Sequence, residues 1–274
     1  MYSAIYYDGD TTKKIAIFMM ILLCSTIIPG CIDKEQEQTP ESLLVYCGAG
    51  MRKPMDDIGA LFKEEYGISV SYNYAGSNTL LSQMELTQKG DVYMPGATYY
   101  FDLARKKGLT DYEQLITYHV PVIAVPRGNP AGVTSLDDLA EPEVRVILGD
   151  PKAAAIGKVG NKILEKNGIY GSVEKNIIAR SATVNELIIY ISMKQADASI
   201  IWEDLVANSE KIEIVEIPVE QNIIKIVPIG TLTSSEKKDT AKKFVDFVAS
   251  SEGKAIFEKH GFTAYPCEKY GDEQ

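Results

Sequence analysis

Histidine, cysteine and tryptophan are scarce in this chain: two, four and one, respectively, among 274 residues. So few histidines argue against a metal centre built on imidazole, since neither His119 nor His260 has a Cys or His nearby at ligand spacing. Basic residues are outnumbered, 28 Lys and Arg against 38 Asp and Glu, for a formal net charge of −10. That balance lacks the basic face of phosphate-tracking nucleic-acid binders and of polybasic membrane-surface proteins. Long apolar runs are missing too, since none reaches the roughly 18–20 residues that span a bilayer. No internal repeat or low-complexity tract interrupts the body. What remains is a chain 45% apolar, long enough for one large or two modest domains with true cores.

The amino terminus reads as an address. The apolar run IAIFMMILLCSTII (15–28) follows Lys13 and Lys14 and precedes Pro29-Gly30-Cys31. A basic start, a short apolar centre and a small-residue cleavage site describe a secretory signal rather than a spanning helix. Cys31 is placed like the cysteine of a lipobox, where the signal is cut before the cysteine and the thiol is lipidated. The expectation is a signal peptide over 1–30 and a polar tether over 31–42, with the folded body anchored through Cys31 to the outer face of the cytoplasmic membrane, the alternative being an uncleaved signal anchor. Removing 1–30 leaves the net charge unchanged, because Asp8 and Asp10 offset Lys13 and Lys14. Cys24 leaves with the signal, so Cys47 and Cys267 remain either as a disulfide, which that compartment permits, or as two free thiols.

From Leu43 onward, short apolar runs alternate with helical spacing. LLVYC (43–47) ends in Gly48-Ala49-Gly50, and residues 54–66 place Met55, Ile58, Leu61 and Phe62 on one helical face until Gly67. ISVSYNY (68–74) alternates like a half-buried strand, and Ala75-Gly76-Ser77-Asn78 leads into a helix marked by Leu80, Leu81 and Met84. DVYM (91–94) is a third strand, 97–107 a third helix, and HVPVIAVP (119–126) is extended. VRVILGDP (144–151) is a strand ending in a turn, and Ser135–Asp138 a helix start. Thr183-Val-Asn-Glu186 reads as a capping box, ASIIW (198–202) as a buried strand and EDLVANS as the start of another helix. The runs 212–219 and 223–232 are extended, and Ala241, Phe244, Val245 and Val248 share one helix face beside the solvated 236–243 stretch. This alternation implies parallel βαβ units and an α/β fold. Each strand-to-helix turn aims a helix N-terminus, with its orphan N–H groups and partial positive charge, beyond a sheet edge. In an acidic chain, an anion site has to rely on such dipoles and on hydroxyls.

YCGAGM (46–51), YAGSNTL (74–80), GDVYMPGA (90–97), LGDPKAAAIGK (148–158) and ATVNEL…ASIIWEDL (182–205) occur in this order. As an ordered set over residues 43–266, they resemble the molybdate/tungstate-binding family among the type II periplasmic binding proteins of ABC importers. The resemblance implies two α/β lobes, each with a mixed sheet flanked by helices, closing on an oxyanion. Lobe one is then expected over 43–119 plus 223–274 and lobe two over 120–222, with crossing strands near 117–126 and 215–230. Prolines 121, 126, 218 and 228 fit edge or crossover strands better than a central sheet. The implied partners are an ABC permease and a molybdate or tungstate ligand bound by a monomer, with no nucleic acid, cofactor or protein-ligated metal cation.

The same resemblance names the expected ligand contacts. The first-loop hydroxyl position falls on Gly50, which offers only its N–H, and the second-loop serine on Ser77. Lobe-two backbone donors fall at Ile156, beside Ala155, and at Val184. A tyrosine position holds Trp202, whose indole donates without accepting. Arg52, just past the first loop, is placed to offset the missing hydroxyl with charge-assisted bonds. The two carboxylates that some archaeal relatives use to complete six-coordination are absent, Val184 and the Ala153–Ala155 run standing in their places. Four-coordinate oxyanion binding is therefore expected.

Competing readings attach to several residues. Ser77 also suits a helix N-cap, Glu186 is the capping-box partner of Thr183, and Trp202 fits a core position. Tyr99-Tyr100 resemble paired phenolates that hold ferric iron in other binding proteins, which keeps ferric iron, like sulfate, as an alternative cargo. His119 and His260 read as structural. A surface enzyme or sensory module on the same fold is the remaining alternative. Against an enzyme, no nucleophile has an adjacent base, and the pairs Asp56-Asp57 and Asp137-Asp138 suit helix starts electrostatically.

Overall fold

The computed structural model describes residues 42–271, so the expected signal, the Cys31 attachment point and all of the tether but Ser42 lie outside the described residues. Among those residues, no helix is long and apolar enough to cross a membrane.

The run after Ser42 becomes β1 (Ser42–Gly48), which lies between two parallel neighbours, β2 (Ser69–Ala75) and β3 (Val92–Met94). Both faces of β1 are therefore covered, and its side chains divide by alternation. Leu43, Val45 and Cys47 enter one core with α1 (Arg52–Tyr66), while Tyr46 and the partly buried Leu44 face a second core beneath α2 (Ser77–Thr87) and α3 (Thr98–Lys106). Helix α1 starts with Pro54 in its first turn, buries Met55, Ile58 and Phe62, and stops at Gly67, whose φ of 71° suits the left-handed C-cap. Strand β2 is the edge of the sheet, which is why it reads as half-buried.

Strands β4 (Thr110–His119), β10 (Lys225–Leu232) and β11 (Thr263–Ala264) complete a six-stranded sheet in the order β11-β4-β10-β3-β1-β2. Strand β10 is antiparallel to both β3 and β4, so β4 runs in the same direction as β1 to β3. Pro228 departs from expectation, because it lies inside β10, a central strand. The ladder adapts by a register shift between Val227 and Pro228, where the missing N–H would otherwise break the pairing. Helices α7 (Lys238–Ala249) and α8 (Ser251–Lys259) return to this sheet, α7 burying Ala241, Phe244, Val245 and Val248 as its periodicity predicts.

The chain between the two halves of that sheet builds a second lobe. Strand β5 (Pro121–Pro126) pairs antiparallel with β8 (Ser199–Trp202) and β9 (Ile212–Val215). Strand β6 (Val146–Gly149) pairs parallel with β7 (Ile177–Ser181), and a parallel bridge from Val146 to Ala198 joins this pair to the foot of β8. Helices α4 (Ala155–Lys166), α5 (Tyr170–Val173) and α6 (Val184–Ser192) cover these strands, with Ile163, Leu187 and Ile191 in one core with Ile123, Leu148 and Ile200. Two shorter elements differ from expectation: 137–140 and 203–205 are single 3-10 turns rather than helix starts.

A single residue, Val120, separates β4 from β5, so the chain passes from one lobe to the other almost without a loop. The return passes through 216–224, where buried Asn222 donates to the Pro121 carbonyl at 2.9 Å and so ties the two crossings together. The C-terminal tail adds a third tie. Tyr118 donates its hydroxyl to the Gly271 carbonyl at 2.6 Å, and Lys269 pairs with Glu216 at 2.9 Å. Cys47 is buried in lobe one and Cys267 packs against the lobe-two core, and both are free thiols. Burial pushes the Cys47 thiol far above its ordinary value.

Candidate ligand-binding site

Parallel strands leave their helices starting at the carboxyl edge, and this places the expected contacts. Register sets Gly48 opposite Ala75 and Cys47 opposite Met94, so the loops after β1, β2 and β3 leave the sheet side by side. A Cβ on Gly48 would stand 2.5 Å from the Met51 side chain and 3.3 Å from the Gly96 amide, so the first and third loops meet there. In the second loop, Gly76 rather than Ser77 is the N-cap, and Ser77 is the first residue of α2. The Ser77 hydroxyl is used differently: its Oγ accepts from the Gly96 N–H at 2.9 Å. With a lone pair so engaged, its single O–H remains available to donate. Tyr93, from β3, donates to the Ser77 carbonyl at 3.2 Å and fixes the start of α2 from below.

Lobe two repeats the arrangement. Gly149 at the end of β6 is opposite Ser181 at the end of β7, so the starts of α4 and α6 are neighbours. Helix α4 lies unusually close to β6. A Cβ on Gly157 would come within 2.4 Å of the Gly149 carbonyl oxygen, so only glycine lets the helix start over the strand end. That approach sets Ala155 and Ile156 at the first two positions of α4, where N–H groups have no intrahelical acceptor. Val184 occupies the same position in α6, after the Thr183 cap. The capping box is half formed. Thr183 Oγ1 accepts from the Glu186 amide at 3.4 Å, but the Glu186 carboxylate takes the Ser181 hydroxyl instead of the Thr183 N–H.

Trp202 ends β8 and is nearly buried. Its ring stacks on that of His119, with centroids 4.1 Å apart and planes 12° from parallel. His119 ends β4 and is 6% exposed. Sequence reading treats this histidine as structural; the structure puts it in the wall of the site. A Cβ on Gly50 would lie 3.5 Å from His119 Cε1 and 3.6 Å from Nε2, and one on Gly96 would lie 3.9 Å from Nδ1. Asp204, just past Trp202, brings Oδ1 to 3.3 Å from His119 Nε2, with side chains 3% and 8% exposed. The two atoms are within ion-pair reach without hydrogen-bond alignment, and neither has another hydrogen-bond partner. Sequence gives no signal for this group, because its members are joined only by the crossing of the lobes. Gly50, Ser77, Gly96, His119, Trp202 and Asp204 thus form one connected cluster, and Ile156 and Val184 lie at neighbouring strand ends of lobe two.

Arg52 is not seated in that cluster by any contact. It is exposed, with its guanidinium 4.0 Å above the Tyr74 ring, and the Tyr74 hydroxyl donates to Asp56 at 2.6 Å. That hydrogen bond and burial push the Tyr74 phenol up, burial contributing more. His260 pairs instead with Asp57 at 2.9 Å on the surface of lobe one, and its hydrogen bond holds the Asp57 carboxyl below its ordinary range. Tyr99 is mostly exposed on α3 and meets Tyr100 edge-on at 5.1 Å. Among the described residues, no group of three or more His, Cys, Asp and Glu side chains is placed to hold a metal ion. A separate hollow of about 390 Å³ in lobe one is lined by Thr98, Asp102, Arg105, Glu113 and Lys254. Its guanidinium, Arg105, is engaged by Asp102 and Glu113.

Two lobes joined by crossing strands, with helix N-termini gathered at their carboxyl edges, have the fold of the type II periplasmic binding proteins. Residues 43–263 match the family of bacterial extracellular solute-binding proteins, and the chain belongs to that family. A putative binding protein of Haemophilus influenzae is 30% identical over 225 residues, covering 80% of this chain and 90% of its own. The putative ABC transporter substrate-binding lipoprotein YvgL of Bacillus subtilis is 25% identical, covering 92% and 99%. The molybdate-binding protein ModA of Mycobacterium tuberculosis is 24% identical, covering 88% and 92%. These relatives bear out the resemblance to molybdate-binding proteins. Among solved structures, the substrate-binding domain of a putative molybdenum ABC transporter from Clostridium difficile superposes with a TM-score of 0.72 at 20% identity, covering 81% of this chain and 98% of that one. The sulfate-binding protein SubI of Mycobacterium tuberculosis gives 0.69 at 15%, covering 84% and 89%, and the ferric binding protein of Campylobacter jejuni 0.67 at 18%, covering 81% and 86%. The protein is therefore an extracytoplasmic solute-binding protein, and its family and neighbours are binding proteins.

Proposed function

We propose that the chain captures molybdate or tungstate between its lobes and delivers it to a membrane permease, as a monomer tethered through lipid on Cys31. The observation that carries the ligand reading is the orientation of Ser77. Gly96 occupies an acceptor site of its hydroxyl, which leaves the O–H available as a donor at the turn where the N–H groups of the α2 start are also unpaired. Such a cradle suits a fully deprotonated tetrahedral dianion. It disfavours hydrogen phosphate, whose own proton meets another donor, and a wide cavity holds the smaller sulfate at poor hydrogen-bond lengths. Contacts are assigned to Gly50 and Ser77 from lobe one and to Ala155, Ile156, Val184 and Trp202 from lobe two. Arg52 contributes only if it leaves the Tyr74 ring.

The test is a melting curve with molybdate, tungstate, sulfate, phosphate and ferric citrate. At about 1,000 times its dissociation constant a ligand adds roughly 4 kcal/mol, and each kcal/mol is about 2–4 °C for a protein of this size. Shifts with molybdate and tungstate alone are expected. A shift with sulfate or ferric citrate alone replaces the cargo, and no shift with any of them refutes the reading. Anchoring is checked separately, by mass spectrometry for lipid on Cys31 after expression in a bacterial host.

A further inference from the structure

Nothing in the sequence reading gives His119 a task, yet it stands between the first and third loops of lobe one and the segment after β8 of lobe two. We propose that His119 contacts the ligand, its imidazolium, held between Asp204 and Trp202, donating a charge-assisted hydrogen bond beside the Ser77 hydroxyl, so that oxyanion affinity falls as pH rises. The inference rests on the oxyanion reading above and assigns a specificity-determining residue to it.

Three observations carry it. The His119 ring borders the first loop: a Cβ on Gly50 would lie in ordinary van der Waals contact with it, 3.5 Å from Cε1, so the imidazole stands beside the position that lacks a hydroxyl. The two ring nitrogens face different neighbours. Nε2 faces Asp204 Oδ1 at 3.3 Å, and Nδ1 faces the third loop, 3.9 Å from where a Gly96 Cβ would be, beside the Ser77 hydroxyl. Finally, the Asp204 side chain is 3% exposed, its Oδ1 has no aligned hydrogen bond, and His119 Nε2, itself unsatisfied, is the donor within reach.

These facts assign both donors of an imidazolium. Nε2–H serves Asp204 and Nδ1–H serves the ligand. When the ring loses a proton and keeps the one on Nε2, Nδ1 turns from donor to acceptor and repels the anion. Binding is therefore strongest while the ring carries both protons and weakens when it loses one. The charged group at the ring is Asp204, from the turn after β8, and Lys225 is the register partner of His119 on the β4–β10 ladder. Trp202 and Phe262 flank the ring without charge. Asp204 acts through His119 and is a positioning residue.

The experiment is titration calorimetry with molybdate on the purified full-length protein, at steps from about pH 6 to about pH 9, where molybdate stays a dianion. Wild type, H119Q, H119F and D204N are compared. Trp202 is the single tryptophan, so its emission reports the stacked ring without any ligand, an imidazolium quenching indole more than the neutral ring does. Wild-type affinity should fall about tenfold or more across the range, with the ligand-free emission titrating over the same pH interval. H119Q, which keeps a neutral donor, should bind with a flat profile. H119F, which keeps the stack, should bind about 10- to 100-fold more weakly, as expected for a lost hydrogen bond to a charged group. D204N should move the wild-type fall to lower pH. A flat wild-type profile, or H119F retaining wild-type affinity and slope, overturns the assignment while leaving the transport reading intact. Failure of wild type to bind molybdate, tungstate or sulfate at any pH refutes both.

Discussion

Ser77→Ala separates the two functions of one hydroxyl. In the folded protein, Ser77 Oγ accepts from the Gly96 N–H at 2.9 Å. The alanine variant removes that acceptor, but Ser77 and Gly96 are only half-buried, so water can reach the freed amide. The stability loss should therefore be near the ordinary value of a hydrogen bond, about 1 kcal/mol, or roughly 2–4 °C in Tm. Affinity should suffer more. The missing O–H is a donor to a dianion, worth about 1.5–3 kcal/mol, so Kd should rise roughly 10- to 150-fold. Calorimetry with molybdate at fixed ionic strength and pH measures the second number, and a melting curve without ligand the first. Ser77→Thr keeps the hydroxyl and should recover most of the affinity. If Ser77→Ala lowers Tm as expected but leaves Kd within about twofold, the hydroxyl holds the third loop and has no role in the ligand site.

Three further outcomes follow from particular contacts. Gly157→Ala places a Cβ 2.4 Å from the Gly149 carbonyl oxygen and 2.7 Å from the Asp150 carbonyl carbon, both backbone atoms, so α4 must move off β6. Overpacking of this kind costs about 1–3 kcal/mol, and Tm should fall by roughly 2–12 °C, with oxyanion affinity falling too because Ile156 moves. Thiol labelling mapped by mass spectrometry should modify Cys267 in the native protein and Cys47 only after unfolding, since Cys47 is fully buried; equal labelling of both refutes the packing described for β1. Arg145 donates to both carboxylate oxygens of Asp197, and this pairing holds the Asp197 carboxyl below its ordinary range. A depressed carboxyl contributes stability that is present above its unfolded pKa of about 3.9 and is lost as pH falls through the folded value. Asp197→Asn should therefore flatten the acid limb of the stability profile below about pH 4, and an unchanged limb refutes the assignment.

The alternation of strand and helix was legible because burial leaves its period in the sequence. Leu43, Val45 and Cys47 mark β1, and Ala241, Phe244, Val245 and Val248 mark α7, since each faces a core that tolerates only apolar groups. The stretch between 152 and 182 was less readable. Helix α4 uses Gly157 and Gly160 on its packed side, where a helical pattern calls for larger apolar residues, and β7 is short and only partly buried. Pro228 misled for a related reason: a proline lies badly in a central strand unless the ladder shifts, and the shift belongs to the pairing between β10 and β4. Glu186 read as half of a capping box because that motif is local, but Ser181 at the end of β7 competes for its carboxylate.

The amino-acid sequence by itself determined the fold class and most strand-to-helix turns, and therefore the positions of Gly50, Ser77 and Val184 at those turns. These depend on interactions within one turn or along one strand, whose residue preferences are short-ranged. Only the tertiary structure decided what stands beside those turns. Ser77 accepts from Gly96, which is 19 residues away, and its free O–H follows from that bond. His119 meets Gly50, Trp202 and Asp204 because the chain crosses between lobes at Val120, and the 85 residues separating His119 from Asp204 carry no periodic trace of the contact. A histidine in isolation has no assigned function, and its neighbours here are set only by the crossing of the lobes.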